Sequence, residues 1–420
     1  MGSLPKIPDF IQLELDAATI LSEQELHGWY FSEAAARELA QALYSELDGL
    51  NRVLRKRYPY VAGREFTPKR SNRTTGYVGG ATVTKLKEFS PTSRDHIAWV
   101  MQNLHGWKPD KETASGKTAI DETVLKDIGT EEALQFFRCL ELTKQLGMLS
   151  EGKNAWLKLV KGSRIHHHCS VATNTHRCAH RNPNLAQVPS DLNFRKLFIA
   201  SPGLCMVGAD LAGIELRMLA HYLARYDGGR YGDVLLNGDI HQENADKIGI
   251  SRRLVKTVTY AFLYGAGDQK IGLSYDQSLS PNKAKEKGAE IRSAYVAAID
   301  GLGDLLTAVR QAGERGSIKS IDGRKIAVDS PHKALNYLLQ SGAGVVAKRW
   351  MVIANQGLVL PHTHQLAFIH DELQWETEPS NADVLKDWLE ASAVRAGKYY
   401  NLRIPIAAEG KIGSTWADVH

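Results

Sequence analysis

Apolar residues near the start of the chain recur at helical spacing. In "EAAARELAQALYSELDGLNRVLRKRY", residues 33–58, Leu39, Leu43, Leu47, Leu50 and Leu54 form one stripe, and Ser32 stands where a capping hydroxyl is useful. The pattern then breaks. From 58 to 90 Gly, Thr and basic residues interrupt any period, which reads as a loop, and from about 96 to 150 the pattern is helical with loops. "LCMVGADLAGIELRMLAHYLARY", residues 204–226, reads as an apolar strand, a break, and an amphipathic helix with the stripe Ile214, Met218, Leu219, Tyr222 and Tyr226. Residues 251–320 are mostly helical in pattern, "SIDGRKIAVDS" is strand-like around a Gly turn, and 332–358 predicts a long helix. "HQLAFIHDELQWETE" predicts strand, hairpin turn and strand, followed by a helix over 381–397 and a last strand near "LRIPIAAEG". Strands in the third quarter and at the end, with a helical block between them, argue for an α+β fold whose sheet domain is discontinuous in sequence.

Composition narrows the function classes. At 420 residues the chain can bury a large core and divide into two or three subdomains. A net charge of +5 permits a polyanionic partner. The charge is uneven: between 52 and 73, Arg52, Arg55, Lys56, Arg57, Arg64, Lys69, Arg70 and Arg73 face only Glu65. A basic helix end followed by a basic, aromatic-containing loop suits contact with a phosphate backbone, and Lys69, Arg70 and Arg73 are the loop cations expected to make it. Cys139, Cys169, Cys178 and Cys205 provide no disulfide framework, which fits a reducing, cytoplasmic compartment. No apolar run approaches the ~20 residues of a membrane span.

The chemistry begins at "LAFIHDELQWE", residues 366–376, where His370, Asp371 and Glu372 interrupt an apolar run. A charged hairpin turn is one explanation. The alternative depends on Asp210, at the end of the strand "CMVGA". If the two strands are neighbours, two carboxylates share one small volume and raise one another's pKa unless a cation lies between them. Magnesium, a hard oxygen-seeking ion, suits such a site when phosphates supply further ligands. The phosphate binder is "SRRLVKTVTYAFLYGAG", residues 251–267. Arg252, Lys256, Tyr260 and Tyr264 recur every four residues along one helix face, while Leu254, Val258 and Phe262 pack inward. The two cations can hold a triphosphate and a tyrosine ring can stack under a base.

"DLAGIELR", "RLVKTVTYAFLYG" and "IHDE" together resemble the three polymerase motifs of A-family DNA polymerases (the DNA polymerase I-like enzymes). "NGDIHQENADKIG", "AFLYGAGDQKIG" and "DGRKIAVDSPHKALNYLLQSGAG" resemble the phage replicative branch, polymerase portion only. The resemblance implies a right-hand polymerase with an N-terminal lead-in (1–16), a thumb (17–150), a palm with an antiparallel sheet (151–236 and 318–420) and helical fingers (237–317). It implies template-directed extension of a primer 3′-hydroxyl with dNTPs, using two Mg2+ ions for which Mn2+ can substitute. Asp210 and Asp371 would bind metal with the Leu211 carbonyl, and Glu372 would be a nearby catalytic carboxylate. Arg252, Lys256 and His241 would hold the triphosphate, with Lys256 also giving a proton to pyrophosphate. Tyr260 would pack on the incoming nucleotide and, as a tyrosine, favour dideoxynucleotide use, while Glu215 would block a ribose 2′-hydroxyl. Tyr264 and Gly265 would lie by the templating base, His370 by the primer, and Arg177, Asn336 and Gln340 by the duplex.

The resemblance also implies departures. His176 stands where the family has a glycine before Arg177, although histidine adopts a positive φ poorly. "IHHHCS", with Cys178 and His180 close behind, offers zinc-type ligands. Three consecutive histidines do not share one face and no Cys-x-x-Cys spacing is present, so a structural zinc site is not expected. The chain starts where the polymerase portion of the family starts, so no 3′–5′ exonuclease domain is expected ahead of it; a separate exonuclease or replisome proteins are candidate partners. The segment 58–90 is too short for a thioredoxin-binding insertion, and thioredoxin is not expected as a partner. Primer-template DNA and dNTPs are the expected ligands of a monomer in the cytoplasm, the host's if the chain is phage-encoded.

Overall fold

The computed structural model describes residues 7–109, 116–171, 173–277, 279–357 and 359–420, so the expected lead-in lies partly outside the described residues. Two compact units emerge, one of Glu33–Lys158 and one of the described part of Met1–Ser32 with Leu159–His420. Helix α1 (Asp9–His27) and strand β1 (Trp29–Tyr30) open the larger unit. The expected boundary between residues 16 and 17 therefore falls inside a helix.

The smaller unit holds α2 (Glu33–Arg57), β2 (Tyr60–Phe66), β3 (Val83–Glu88), α3 (Arg94–Leu104), α4 (Glu122–Ile128) and α5 (Glu131–Leu146). Asp121 and Thr130 cap α4 and α5 through the amides of Val124 and Ala133. The α2 stripe buries as its spacing predicts: Leu43 and Leu54 are fully covered, and Leu47 and Leu50 pack against a core of Tyr58, Phe89, Ile97, Val100 and Phe136. One element differs from the sequence reading. Residues 58–90 are not simply a loop, because β2 and β3 pair as an antiparallel ribbon with Val61 opposite Lys87. Most of its side chains are exposed, so the ribbon leaves little apolar alternation to read.

Short helix α6 (Trp156–Leu159) leads into the rest of the larger unit: β4 (Arg164–Ile165), β5 (His168–Ser170), β6 (Ala179–Arg181), α7 (Leu192–Arg195) and β7 (Cys205–Leu211). A helical block follows, with α8 (Ile214–Asp227), α9 (Arg230–Asn237), α10 (Ile240–Ile248) and α11 (Arg252–Leu263). It continues through α12 (Asp268–Tyr275), α13 (Pro281–Ala298) and α14 (Leu302–Gly313). The ribbon β8 (Ser317–Lys319) and β9 (Lys325–Ala327) precedes the long α15 (Ala334–Gly357), the hairpin β10 (His364–Ile369) and β11 (Glu372–Thr377), α16 (Ala382–Tyr399), β12 (Ala408–Gly413) and α17 (Trp416–Val419). The last strand begins later than "LRIPIAAEG" suggests, because Pro405 removes a ladder donor from the middle of that apolar run.

Four strands form the central sheet in the order β10-β11-β7-β12, with β11 and β12 each antiparallel to β7. Strand β11 is buried along its whole length, which explains a run that does not alternate cleanly. Helix α15 is buried almost all round, from Ser341 to Val352 without a break. Its two charged residues are matched by α1: Lys348, with 0% exposure, puts Nζ 2.6 Å from Glu14, and Arg349 reaches Asp9 at 2.9 Å. Arg324 bridges Glu14 to Asp322, the latter at 2.6 Å. No helix among the described residues is long and apolar enough to cross a membrane.

Candidate active site

Asp210 lies one residue before the end of β7. Glu372 on β11 and Glu409 on β12 stand directly opposite it, so the antiparallel register gathers three carboxylates around one point of the sheet. Asp371 follows from the hairpin: His370 and Asp371 are a two-residue connection between β10 and β11, with His370 at φ 59°. The Leu211 amide donates to the Asp371 carbonyl at 2.9 Å, which ties the turn to the end of β7. Sequence reasoning thus brought together two residues 161 positions apart, and the sheet register is what joins them.

The electrostatics are strained. Burial, then the charges of Asp210 and Glu215, push the Asp371 carboxyl up to about 7. Asp210 opens toward solvent, yet desolvation by its neighbours and the charges of Glu372, Glu215 and Glu409 push it up to about 6. Glu372 also rises to about 7, chiefly through burial, but its oxygens are engaged. They accept from Trp416 Nε1 and Gln374 Nε2, and His420 Nδ1 lies 3.0 Å away. Glu372 therefore differs from the two aspartates: it is clamped by the fold, whereas they crowd without an ion pair of their own among the described residues.

After β7 the chain turns at Gly213, where φ of +55° suits a residue without a side chain, and α8 begins at once. Glu215 is thereby set in the first turn of α8. Its Oε1 accepts from Arg177 at 3.0 Å and from the Tyr264 hydroxyl at 2.9 Å. Arg177 is delivered by the loop that carries His176. The histidine does adopt the positive φ that the sequence flagged, 61°, and its Nδ1 is anchored 2.6 Å from Ser341 Oγ. Gly344 of α15 lets that loop approach, since a Cβ there would meet the His176 carbonyl at 3.0 Å.

Helix α11 runs nearby, capped by Ser251 and buried along Val255, Val258, Thr259 and Phe262. Arg252 and Lys256 are on its exposed side, and Tyr260 is half-buried with its hydroxyl pKa raised by burial and by Glu215. Arg252 Nε pairs with Asp239 at 2.7 Å, and Asp239 caps α10, which presents His241. The His241 ring is 6.3 Å from that of Tyr260 and is held neutral by burial and by Arg252. The end of α11 is tied to α15, where the Asn336 side chain donates to the Leu263 carbonyl. Gly265 follows with φ +71°, and Gln340 lies four residues further along α15, half-buried. Lys69, Arg70 and Arg73 are exposed in the segment between β2 and β3, in the smaller unit.

Sequence reasoning missed three residues here. Glu409 faces Asp210 only through the β12 register, and Trp416 reaches Glu372 only through the tertiary fold. Arg195 lies over the Trp416 ring at 5.1 Å and feels both Glu372 and Asp210, while burial lowers its own pKa. The segment "LNFRKLF" around it offers no local signal.

The sequence matches a family model, DNA polymerase family A, over residues 74–418. Among curated proteins the chain is 32% identical to the DNA-directed DNA polymerase of Enterobacteria phage T3 and 31% identical to that of Escherichia phage T7. In each comparison 98% of this chain aligns with 70% of the relative. It is also 25% identical to a DNA polymerase I of Pseudomonas aeruginosa over 80% of its length, 39% of that relative. Among solved structures, the polymerase domain of Pol1 from M. smegmatis, in complex with a DNA primer-template and dNTP, shares the fold at TM-score 0.77. That likeness has 20% identity and covers 97% of this chain and 70% of that one. The matched span includes the strands bearing Asp210 and Asp371 and the helix bearing Arg252 and Lys256, and the chain therefore belongs to DNA polymerase family A, as an α+β, right-hand DNA-directed DNA polymerase.

Proposed function

We propose that this polymerase extends a primer 3′-hydroxyl with dNTPs by a two-metal nucleotidyl transfer centred on Asp210 and Asp371, in phage-type DNA replication. The observation that carries the reading is the unmatched charge: both aspartyl carboxyls are pushed up, to about 6 and about 7, beside Glu215. Such a donor set fits hard divalent ions, magnesium first and manganese as a substitute. Asp210, Asp371 and the Leu211 carbonyl are the groups that would hold them. When bound, the ions supply charge to the attacking and leaving oxygens of an in-line displacement.

The chain's own residues do the rest. Arg252, Lys256 and His241 would grip the triphosphate, with Arg252 shared between phosphate and Asp239. Lys256 would give a proton to pyrophosphate oxygen as it departs. Tyr260 would form the floor under the incoming sugar and base, a position that favours dideoxynucleotide use. Glu215, fixed by Arg177 and Tyr264, would stand where a ribose 2′-hydroxyl would come. Tyr264 and Gly265 would meet the templating base, His370 the primer end, and Arg177, Asn336 and Gln340 the duplex. Glu372 is assigned a supporting role at the aspartates rather than a ligand position, because three groups of the fold engage it. Lys69, Arg70 and Arg73 would bind phosphates without regard to sequence. The palm would be the four-stranded sheet and its helices, the fingers the helical block within 237–317, and the thumb a region within 17–150. The primer-template and dNTP named for the M. smegmatis structure support these ligands.

Primer extension on a templated hairpin with magnesium tests the reading. Wild type should extend, Asp371→Asn should not, and both should bind primed DNA. Extension by Asp371→Asn near the wild-type rate would defeat the metal assignment.

A further inference from the structure

A second group of ligating side chains is not used by this chemistry. The hairpin β5–β6 sets Cys169 directly opposite His180, and His167 precedes Cys169 by two residues, on the same side of an extended chain. One ligating atom from each of the three lies within 4.8 Å of the others, and Cys169 Sγ is 3.1 Å from His180 Nδ1. The run of histidines conceals this grouping. Alternation sends His166 and His168 to the other side, where Glu25 engages both: His166 Nδ1 is 2.8 Å from its carbonyl and His168 Nδ1 is 2.7 Å from its carboxylate. Only the middle histidine joins the cysteine, and hairpin register supplies the third ligand. The expectation against a zinc site rested on that run and on the missing Cys-x-x-Cys spacing; the run does split as expected, and the hairpin register adds a grouping that neither ground considers.

The setting suits coordination. Exposure is 0% for His167, 7% for Cys169 and 9% for His180. A neutral imidazole binds a cation through a ring nitrogen without losing a proton, so of the three groups only the thiol must give one up. His167 Nδ1 and His180 Nε2, the ring nitrogens other than those facing Gln24 and Cys169, have no hydrogen-bond partner among the described residues. The Gln24 side-chain nitrogen lies 3.1 Å from His167 Nε2 and 3.8 Å from Cys169 Sγ, and its carbonyl oxygen accepts from Gln365 at 2.7 Å, so the amide turns a donor toward the group. Two nitrogens and a sulfur make a borderline-soft donor set, suited to zinc and unsuited to magnesium.

We propose that His167, Cys169 and His180 form a three-ligand zinc site, covered on its fourth side by the Gln24 amide NH2 and separate from the aspartates. Binding exchanges the Cys169 thiol proton for a zinc–sulfur bond, and the proton leaves to solvent. The bound ion would tie β5 to β6 beside Gln24 of α1. It would also brace the catalytic turn, because the His180 ring meets the His370 ring edge-on at 5.6 Å and His370 precedes Asp371.

The test uses the full chain and the metal alone. Elemental analysis of protein purified from zinc-supplemented medium should find about one zinc per chain. Cobalt(II) put in its place should give a thiolate-to-cobalt charge-transfer band, which oxygen ligands at the aspartates cannot produce. Cys169→Ser should abolish the band, His180→Gln should weaken cobalt binding by about tenfold or more, and Cys205→Ser should leave both unchanged. For wild type alone, zinc should raise the unfolding temperature further when magnesium is already saturating, a readout that stands even if a variant fails to fold. Zinc content near zero with no thiolate band, a band that persists in Cys169→Ser, or an unfolding temperature indifferent to zinc would each overturn the proposal.

Discussion

The larger unit contains two clusters of charge with opposite arrangements. In one, Lys348, Glu14, Arg324 and Asp322 alternate in sign and contact one another across α1, the β8–β9 ribbon and α15. In the other, Asp210, Asp371 and Glu215 converge with one sign, and the nearby Arg177 is held by Glu215. A matched network fixes geometry, because removing any member strands a buried partner. An unmatched one stores repulsion that a ligand can relieve, which is how functional carboxylates differ from structural ones. The same residue types therefore serve stability in one place and chemistry in the other, and counterion supply makes the difference.

Substitutions should separate the two. The largest effect is expected at the acidic pair: Asp371→Asn should lower primer extension by about 10³-fold or more, a loss of ~4 kcal/mol of transition-state stabilisation. Its metal-free unfolding free energy in urea should stay level or rise, because a like charge is gone. Glu14→Gln should behave inversely. Stranding Lys348, which is fully buried, should cost about 3–5 kcal/mol in urea unfolding, while extension per folded molecule is retained. If each variant showed the other's behaviour, the contrast would fail.

Proton linkage sharpens the comparison. Asp210, Asp371 and Glu372 have folded pKa values raised to about 6, 7 and 7 from ordinary values of 3.8, 3.8 and 4.5. Between those limits these three groups hold more protons in the folded state than in the unfolded chain. Their own contribution to stability without divalent ions should therefore fall as pH rises from about 4 to about 7, opposite in sign to that of the histidines whose pKa values burial lowers. Saturating magnesium should flatten that decline, and a slope indifferent to magnesium would argue against ion binding at the aspartates. A smaller effect is expected for Glu215→Ala, which should raise ribonucleotide incorporation relative to deoxyribonucleotide by roughly tenfold and free Tyr264 and Arg177. An unchanged ratio would remove its gate role. The smallest belongs to His176→Gly. It relieves a left-handed residue and loses the Ser341 contact, two effects of ~1 kcal/mol each, so the melting temperature should move only a few degrees.

Much of the acidic site was legible because its residues sit at local events. Asp210 ends an apolar strand, Asp371 interrupts another, and Arg252 and Lys256 repeat at helical spacing, so each leaves a mark in a short window. The matched network left none. Glu14, Arg324 and Lys348 lie on three separate elements, and their pairing exists only once α1 packs on α15. The same holds for Trp416 and Glu409 around the acids. The β2–β3 ribbon was missed for a different reason: its side chains face water, so period-two alternation never forms. The His167–Cys169–His180 grouping went unseen because register between two short strands, not adjacency, decides which side chains meet.

The connection between β10 and β11 consists of His370 and Asp371 alone, and the second of these is bonded to the end of β7 through its own main chain. Such a short link has no slack to absorb an added or deleted residue. The gap between the two aspartates is thus gauged by peptide bonds rather than by side-chain torsions, and a shift of one position would turn β11 over and point Glu372 away from its clamp. Insertions in this hairpin have room only at its far end, ahead of His364, where the chain is exposed and the spacing of the acids is not at stake.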